Sequence, residues 1–124
     1  MTHKKLLMID DSSTDLALVE SWLSDQPFIL YTSKNGKEGL EESIKLQPDL
    51  ILLDILMPVQ NGYDTIRELR KDFKTKHIPV IFISTKNSMV DQQWGLRQGA
   101  QAYLSKPFNK QELLQTIKKV LENP

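Results

Sequence analysis

Five short apolar runs alternate with five longer amphipathic stretches along this chain, and that rhythm limits the possible folds more than any other feature. The runs are Leu6-Leu7-Met8-Ile9, Phe28-Ile29-Leu30-Tyr31, Leu50-Ile51-Leu52-Leu53, Ile78-Pro79-Val80-Ile81-Phe82-Ile83 and Ala102-Tyr103-Leu104. Short runs rich in Leu and β-branched residues read as strands buried on both faces. After the first run, Ser12-Ser13-Thr14 offers N-cap hydroxyls and Asp15 adds negative charge to a first helical turn. Leu16, Leu18, Val19, Trp22 and Leu23 then recur at helical spacing until Pro27. Leu40, Ile44 and Leu46 mark a second helix between the turn Asn35-Gly36 and Gln47-Pro48. Tyr63, Ile66 and Leu69 mark a third, with the charged tail Arg70-Lys71-Asp72. Asn87-Ser88 caps a fourth, running through Trp94 and Leu96 to Gly99. Asn109 caps the last, with Leu113, Leu114, Ile117, Val120 and Leu121 on its inner face. Strict βα alternation predicts an α/β fold, a doubly wound five-stranded parallel sheet with helices on both faces. The order 2-1-3-4-5 is one of two common arrangements of such a sheet, and periodicity does not choose between them.

Composition narrows the class. A chain of 124 residues with 40% apolar content forms one domain with a real core. Lys plus Arg equals Asp plus Glu at 16 each, which argues against a general nucleic-acid binder. There is no Cys, so neither a disulfide framework nor a thiolate metal site is available. No leader-like N-terminus and no apolar stretch of membrane-spanning length is present. The expectation is a soluble, cytoplasmic, single-domain protein over 1–124, without an output domain.

Chemistry gathers at the strand ends. Asp10-Asp11 closes the first strand, Asp54 the third, Ser84-Thr85 the fourth, and Lys106 follows the fifth. Open α/β sheets place ligands at this edge. Taken singly, each residue has a dull role as a helix cap, a turn or a solvated side chain. Together, three close carboxylates repel one another and call for a cation, and hard oxygen donors suit Mg²⁺ or Mn²⁺. With the Lys106 ammonium and the Ser84 hydroxyl they form a receptacle for a dianionic phosphoryl group. A carboxylate can itself be the nucleophile in such a transfer. The dinucleotide-binding and P-loop glycine motifs are absent, and His3 and His77 fall at the opposite edge.

Met8-Ile9-Asp10-Asp11-Ser12, Leu53-Asp54-Ile55-Leu56-Met57-Pro58 with Gly62, Ile83-Ser84-Thr85, and Gly99-Ala100-Gln101-Ala102-Tyr103-Leu104-Ser105-Lys106-Pro107-Phe108 carry a resemblance. Over nearly its full length the chain resembles the CheY-like receiver domains of two-component signalling. That resemblance implies a flavodoxin-like (βα)5 fold of order 2-1-3-4-5. It implies Asp54 as phospho-acceptor, Asp10 and Asp11 with Asp54 and the Leu56 backbone carbonyl as Mg²⁺ ligands, and Lys106 as the lysine that meets the phosphoryl group. Ser84 matches the switch hydroxyl, Tyr103 its coupled aromatic, and Lys106-Pro107 a cis peptide. The phosphodonor would be a sensor histidine kinase, in one version CheA-like, and the receiver would catalyse only its own phosphorylation and dephosphorylation. Output would be contact with a downstream protein through the fourth helix, fifth strand and fifth helix, from a monomer or a phosphorylation-dependent dimer. A phosphate sink or relay intermediate is the alternative. Without the resemblance, Tyr103 reads as a half-buried strand aromatic with its hydroxyl in water.

Three positions depart from the commonest pattern: Thr85, Leu56 and Lys86. Leu56 and Lys86 flank the family's hydrolytic water path, so they are candidate rate-tuning residues. A small-molecule phosphohydrolase would need a carboxylate two residues past Asp54, and Leu56 stands there. The segment Trp94-Gly95-Leu96-Arg97-Gln98-Gly99-Ala100 resembles the pilus and twitching-motility receivers. Trp94 itself reads as flank packing or, more pointedly, as a docking anchor.

Overall fold

The computed structural model describes residues 3–123. The elements are β1 (Lys4–Ile9), α1 (Ser13–Leu23), β2 (Phe28–Ser33), α2 (Gly36–Leu46), β3 (Leu50–Asp54), α3 (Gly62–Lys71), β4 (Val80–Ser84), α4 (Met89–Arg97), β5 (Ala102–Ser105) and α5 (Lys110–Glu122). All strand pairs are parallel, in the order β2-β1-β3-β4-β5. This is the doubly wound, flavodoxin-like sheet.

Period-2 alternation splits the core into two layers. Leu50 and Leu52 of β3 join Leu6, Met8, Ile81, Ile83 and the inward residues of α1 and α5 on one face. Ile51 and Leu53 join Leu7, Ile9, Val80, Phe82 and the α3 residues Ile66 and Leu69 on the other. Every residue of β3 and β4 is buried, as continuous apolar runs between two helical layers require. The fourth strand starts at Val80 rather than Ile78, since Pro79 lacks the N–H that a ladder needs.

Two helices depart from the apolar-face reading. In α2 the buried residues are Gly36, Gly39 and Ser43, and Ile44 is exposed. Small residues let this helix approach the sheet closely, and the Ser43 hydroxyl donates to the Gly39 carbonyl at 2.7 Å. In α4 only Gly95 is buried, while Met89, Val90, Trp94 and Leu96 are exposed. Few buried side chains hold α4 on the sheet, which marks it as a segment of low local stability.

The β3–α3 loop carries a backbone oddity. Val59 is fully exposed and adopts φ 69°, the left-handed region that β-branched residues disfavour. Val59→Gly is expected to raise stability by about 1 kcal/mol, because the lost strain exceeds the extra chain entropy of Gly. A urea midpoint lower than that of the wild type would contradict this.

Candidate functional site

Register alone puts the acidic residues together. Ile9 pairs with Leu53, so the residues that follow, Asp10 and Asp54, emerge side by side from neighbouring strands. Ser84 pairs with Ser105, which brings Lys106 next to the end of β4, where its N–H donates to the Ser84 carbonyl at 2.7 Å. Asp10, Asp54 and Ser84 are buried, and Asp11 is exposed at the rim. Asp10, Asp11 and Asp54 each present a carboxylate oxygen within 4.8 Å of the others, an all-oxygen set with the hard-donor chemistry that suits a divalent cation such as Mg²⁺.

Lys106 spans this pocket. Its ammonium lies 2.9 Å from Asp10 Oδ2, 2.7 Å from Asp15 Oδ2 and 3.6 Å from Asp54 Oδ1. Burial disfavours the ammonium, but hydrogen bonds to Asp15 and Asp10 and the charge of Asp54 more than offset this and push its pKa up. The Asp54 pKa also rises, which for a carboxyl favours the neutral form. Burial and then the charge of Asp10 push its pKa up to about 7, against the opposing pull of Lys106. A buried carboxyl held near neutrality beside a fixed ammonium is a group poised for chemistry.

The β4–α4 connection ties the pocket to the surface. Ser84 Oγ accepts the Lys86 N–H at 3.1 Å. The Tyr103 hydroxyl donates to the Lys86 carbonyl at 2.5 Å, not to water as the strand position suggests when taken without the resemblance. The Tyr103 ring packs against Phe82, centroids 6.4 Å apart. A Cβ on Gly95 would lie 2.8 Å from that ring, so this glycine of α4 gives Tyr103 its seat. Ser84 and Tyr103 thus hold the N–H and the C=O of the same residue, Lys86, which links the pocket to β5 and α4. Leu56 stands half exposed beyond Asp54, and Lys86 pairs with Asp91 at 3.8 Å, turned toward α4. His3 and His77 are exposed at the opposite edge, and Thr85 is exposed beside Ser84. Lys106-Pro107 is cis.

The response regulator receiver domain family matches residues 6–118. The chain belongs to that family. As a receiver it is 39% identical over 117 residues to the protein PilH of Pseudomonas aeruginosa, covering 94% of this chain and 97% of PilH. The chemotaxis response regulator CheY4 of Vibrio cholerae superposes with a TM-score of 0.90 at 33% identity, covering 96% of this receiver and 99% of CheY4. The receiver domain of the sensor histidine kinase PA1611 from Pseudomonas aeruginosa shares the fold, with a TM-score of 0.89 at 23% identity and coverage of 98% and 99%. Several longer curated relatives are matched over only about half their length, 46% to 56%.

One receiver residue at the pocket escaped the sequence reading. Asp15 served there only as first-turn charge for α1, whereas its carboxylate makes the shortest contact to Lys106. The available signal was positional: α1 starts directly after Asp10-Asp11, so its first turn faces the same sheet edge.

Proposed function

We propose that this receiver accepts a phosphoryl group on Asp54 from a phosphohistidine of a partner kinase in the cytoplasm. It then signals by protein–protein contact through α4, β5 and α5. The observation that carries this reading is the placement of a buried carboxylate, Asp54, between a fixed ammonium and two further carboxylates at the edge where α/β sheets bind ligands. An Asp54 carboxylate oxygen bonds to phosphorus as the P–N bond to the imidazole breaks and its electron pair returns to nitrogen. Lys106 and the Ser84 hydroxyl face the oxygens whose charge must be balanced. Asp10, Asp11, Asp54 and the Leu56 backbone carbonyl would hold Mg²⁺, as the magnesium ion is coordinated in the active site cleft of the PA1611 receiver. The ion supplies positive charge that keeps the carboxylates ionised and neutralises phosphoryl oxygens. The chemistry is confined to the receiver's own aspartate, so the protein turns over no separate substrate. The partner kinase we propose is CheA-like, in keeping with the likeness to the chemotaxis response regulator CheY4.

Phosphorylation adds charge and acceptor oxygens at Asp54, and the Ser84 hydroxyl is the nearest group of β4 that can answer it. Any movement of Ser84 displaces Lys86, whose carbonyl holds Tyr103. The lightly anchored α4 is then the element whose surface changes. Incubation with Mg²⁺ and acetyl phosphate, followed by intact mass, tests the reading. A phosphoryl adduct is expected on the wild type and none on Asp54→Ala. No adduct on the wild type, or an undiminished one on the variant, overturns it.

Leu56 has no hydrogen-bonding group with which to orient a hydrolytic water, so the aspartyl phosphate of this receiver is expected to be long-lived. Leu56→Asn is expected to shorten its half-life severalfold, read by the decay of the mass adduct. An unchanged half-life would remove Leu56 from the rate-tuning role.

A further inference from the structure

We propose that Asp15 is a positioning residue for Lys106, holding the ammonium on the α1 side of the pocket as a counter-ion that a phosphoryl group on Asp54 must displace. This inference rests on Asp54 being the phospho-acceptor. Lys106 has three donor positions, and Asp10 and Asp15 take two of them, at 2.9 Å and 2.7 Å. Its distance to Asp54, 3.6 Å, is beyond a hydrogen bond, so the ammonium is committed away from the reacting carboxylate. Asp15 lies outside the acidic cluster formed by Asp10, Asp11 and Asp54, so its carboxylate has no share in a cation site there. The Asp15 side chain is 37% exposed whereas Asp10 is fully buried, which makes Asp15 the outer wall past which an incoming phosphodonor travels.

The competing explanation is that Asp15 only supplies favourable charge to the N-terminus of α1. The helix start does not need the carboxylate for its cap, because the Ser12 hydroxyl accepts from the Asp15 backbone N–H at 3.1 Å. The two roles therefore separate. Removing the charge as Asp15→Asn leaves the cap, reduces the hold on Lys106 to a neutral amide oxygen and takes one negative charge from the path of a dianion. A unit charge acting on a dianion about 6 Å away in a solvent-open pocket changes a rate by up to roughly tenfold. Asp15→Glu keeps both the helix-end charge and the counter-ion.

The test compares initial phosphorylation rates of wild type, Asp15→Asn and Asp15→Glu with Mg²⁺ and sub-saturating acetyl phosphate, at low and high ionic strength, with urea midpoints measured in parallel. Asp15→Asn is expected to react several times faster than wild type, with the advantage shrinking in salt, and Asp15→Glu is expected to stay within about twofold of wild type. An Asp15→Asn rate equal to or below that of the wild type overturns the proposal, and a shift confined to the urea midpoint assigns Asp15 to the helix end alone. A wild type that takes no phosphoryl group would instead overturn the role of Asp54, and this inference with it. A wild type that is phosphorylated at the same rate as Asp15→Asn leaves Asp54 intact and removes only Asp15.

Discussion

Gly62→Ala is expected to lower the stability of this receiver by about 3 kcal/mol, a larger loss than any other glycine-to-alanine change at the sheet edge. Gly62 opens α3, directly after the Asn61 cap, and its N–H donates to the Ile55 carbonyl at 2.9 Å. A Cβ there would lie 2.6 Å from the Asp54 carbonyl oxygen and 2.8 Å from Ile55 Cα. Both are backbone atoms at the end of a fully buried strand, so neither can rotate away. Either α3 retreats and the Ile55 hydrogen bond is lost, or β3 shifts and carries Asp54 with it. The better helix propensity of Ala returns at most about 1 kcal/mol. Gly39→Ala is the internal control. Its Cβ would meet only the Ile9 side chain, 2.4 Å from Cδ1, and a flexible side-chain end can repack. Urea unfolding should show a clearly lower midpoint for Gly62→Ala than for Gly39→Ala at similar slope. A Gly62→Ala midpoint equal to that of the wild type would mean the contact with β3 is not close.

The same contact shows why some of the molecule was legible in the sequence and some was not. β3 and β4 were readable because strands buried on both faces must be apolar at every position, and the polar residue that ends each run then stands out. Asp54 and Ser84 are such endings, and register brings Asp10 beside Asp54 without any further information. The inward face of α2 was not readable, because its buried residues Gly36, Gly39 and Ser43 carry no apolar periodicity, while Ile44 points outward and Leu46 is only partly buried. Close approach of a helix to a sheet selects small residues, which a hydrophobicity pattern treats as silence. Strand order was open for a related reason: βα alternation fixes which way each strand runs but not which neighbour it takes. Asp15 was hidden by redundancy, since an acid in a first helical turn already has a reason to be there. Its bond to Lys106 joins residues 91 apart in sequence. The hydrogen bond of Tyr103 was silent for a different reason: its partner is a main-chain carbonyl, which no side-chain pattern records.

Asp54→Asn is expected to make the metal-free protein more stable above neutral pH and to flatten its pH dependence. The Asp54 carboxyl titrates near 3.8 in an unfolded chain and is pushed up to about 7 in the fold, first by burial and then by the charge of Asp10. Below 3.8 both states hold the proton and the group contributes nothing to the difference. Between 3.8 and about 7 the folded state keeps a proton that the unfolded chain has released, so unfolding becomes easier as pH rises through that window. Above it the fold carries the full penalty of a buried charge. The full shift at 1.36 kcal/mol per unit would be roughly 4 kcal/mol, and water at the pocket mouth reduces this to on the order of 2 kcal/mol. Asn has nearly the same shape and no charge to bury. Lys106 keeps its hydrogen bonds to Asp10 and Asp15, so it is not left unpaired. Saturating Mg²⁺ should stabilise the wild type at pH 8 and the Asn variant much less, since binding to the native state alone adds to stability and one carboxylate of three is gone. Urea midpoints across this pH range, in chelator and in Mg²⁺, separate the effects. An Asn variant with the wild-type slope, or with lower stability at pH 8 in chelator, would mean that Asp54 is ionised in the fold without penalty. The cation would then add far less stability at this pocket than the crowding of its three carboxylates implies.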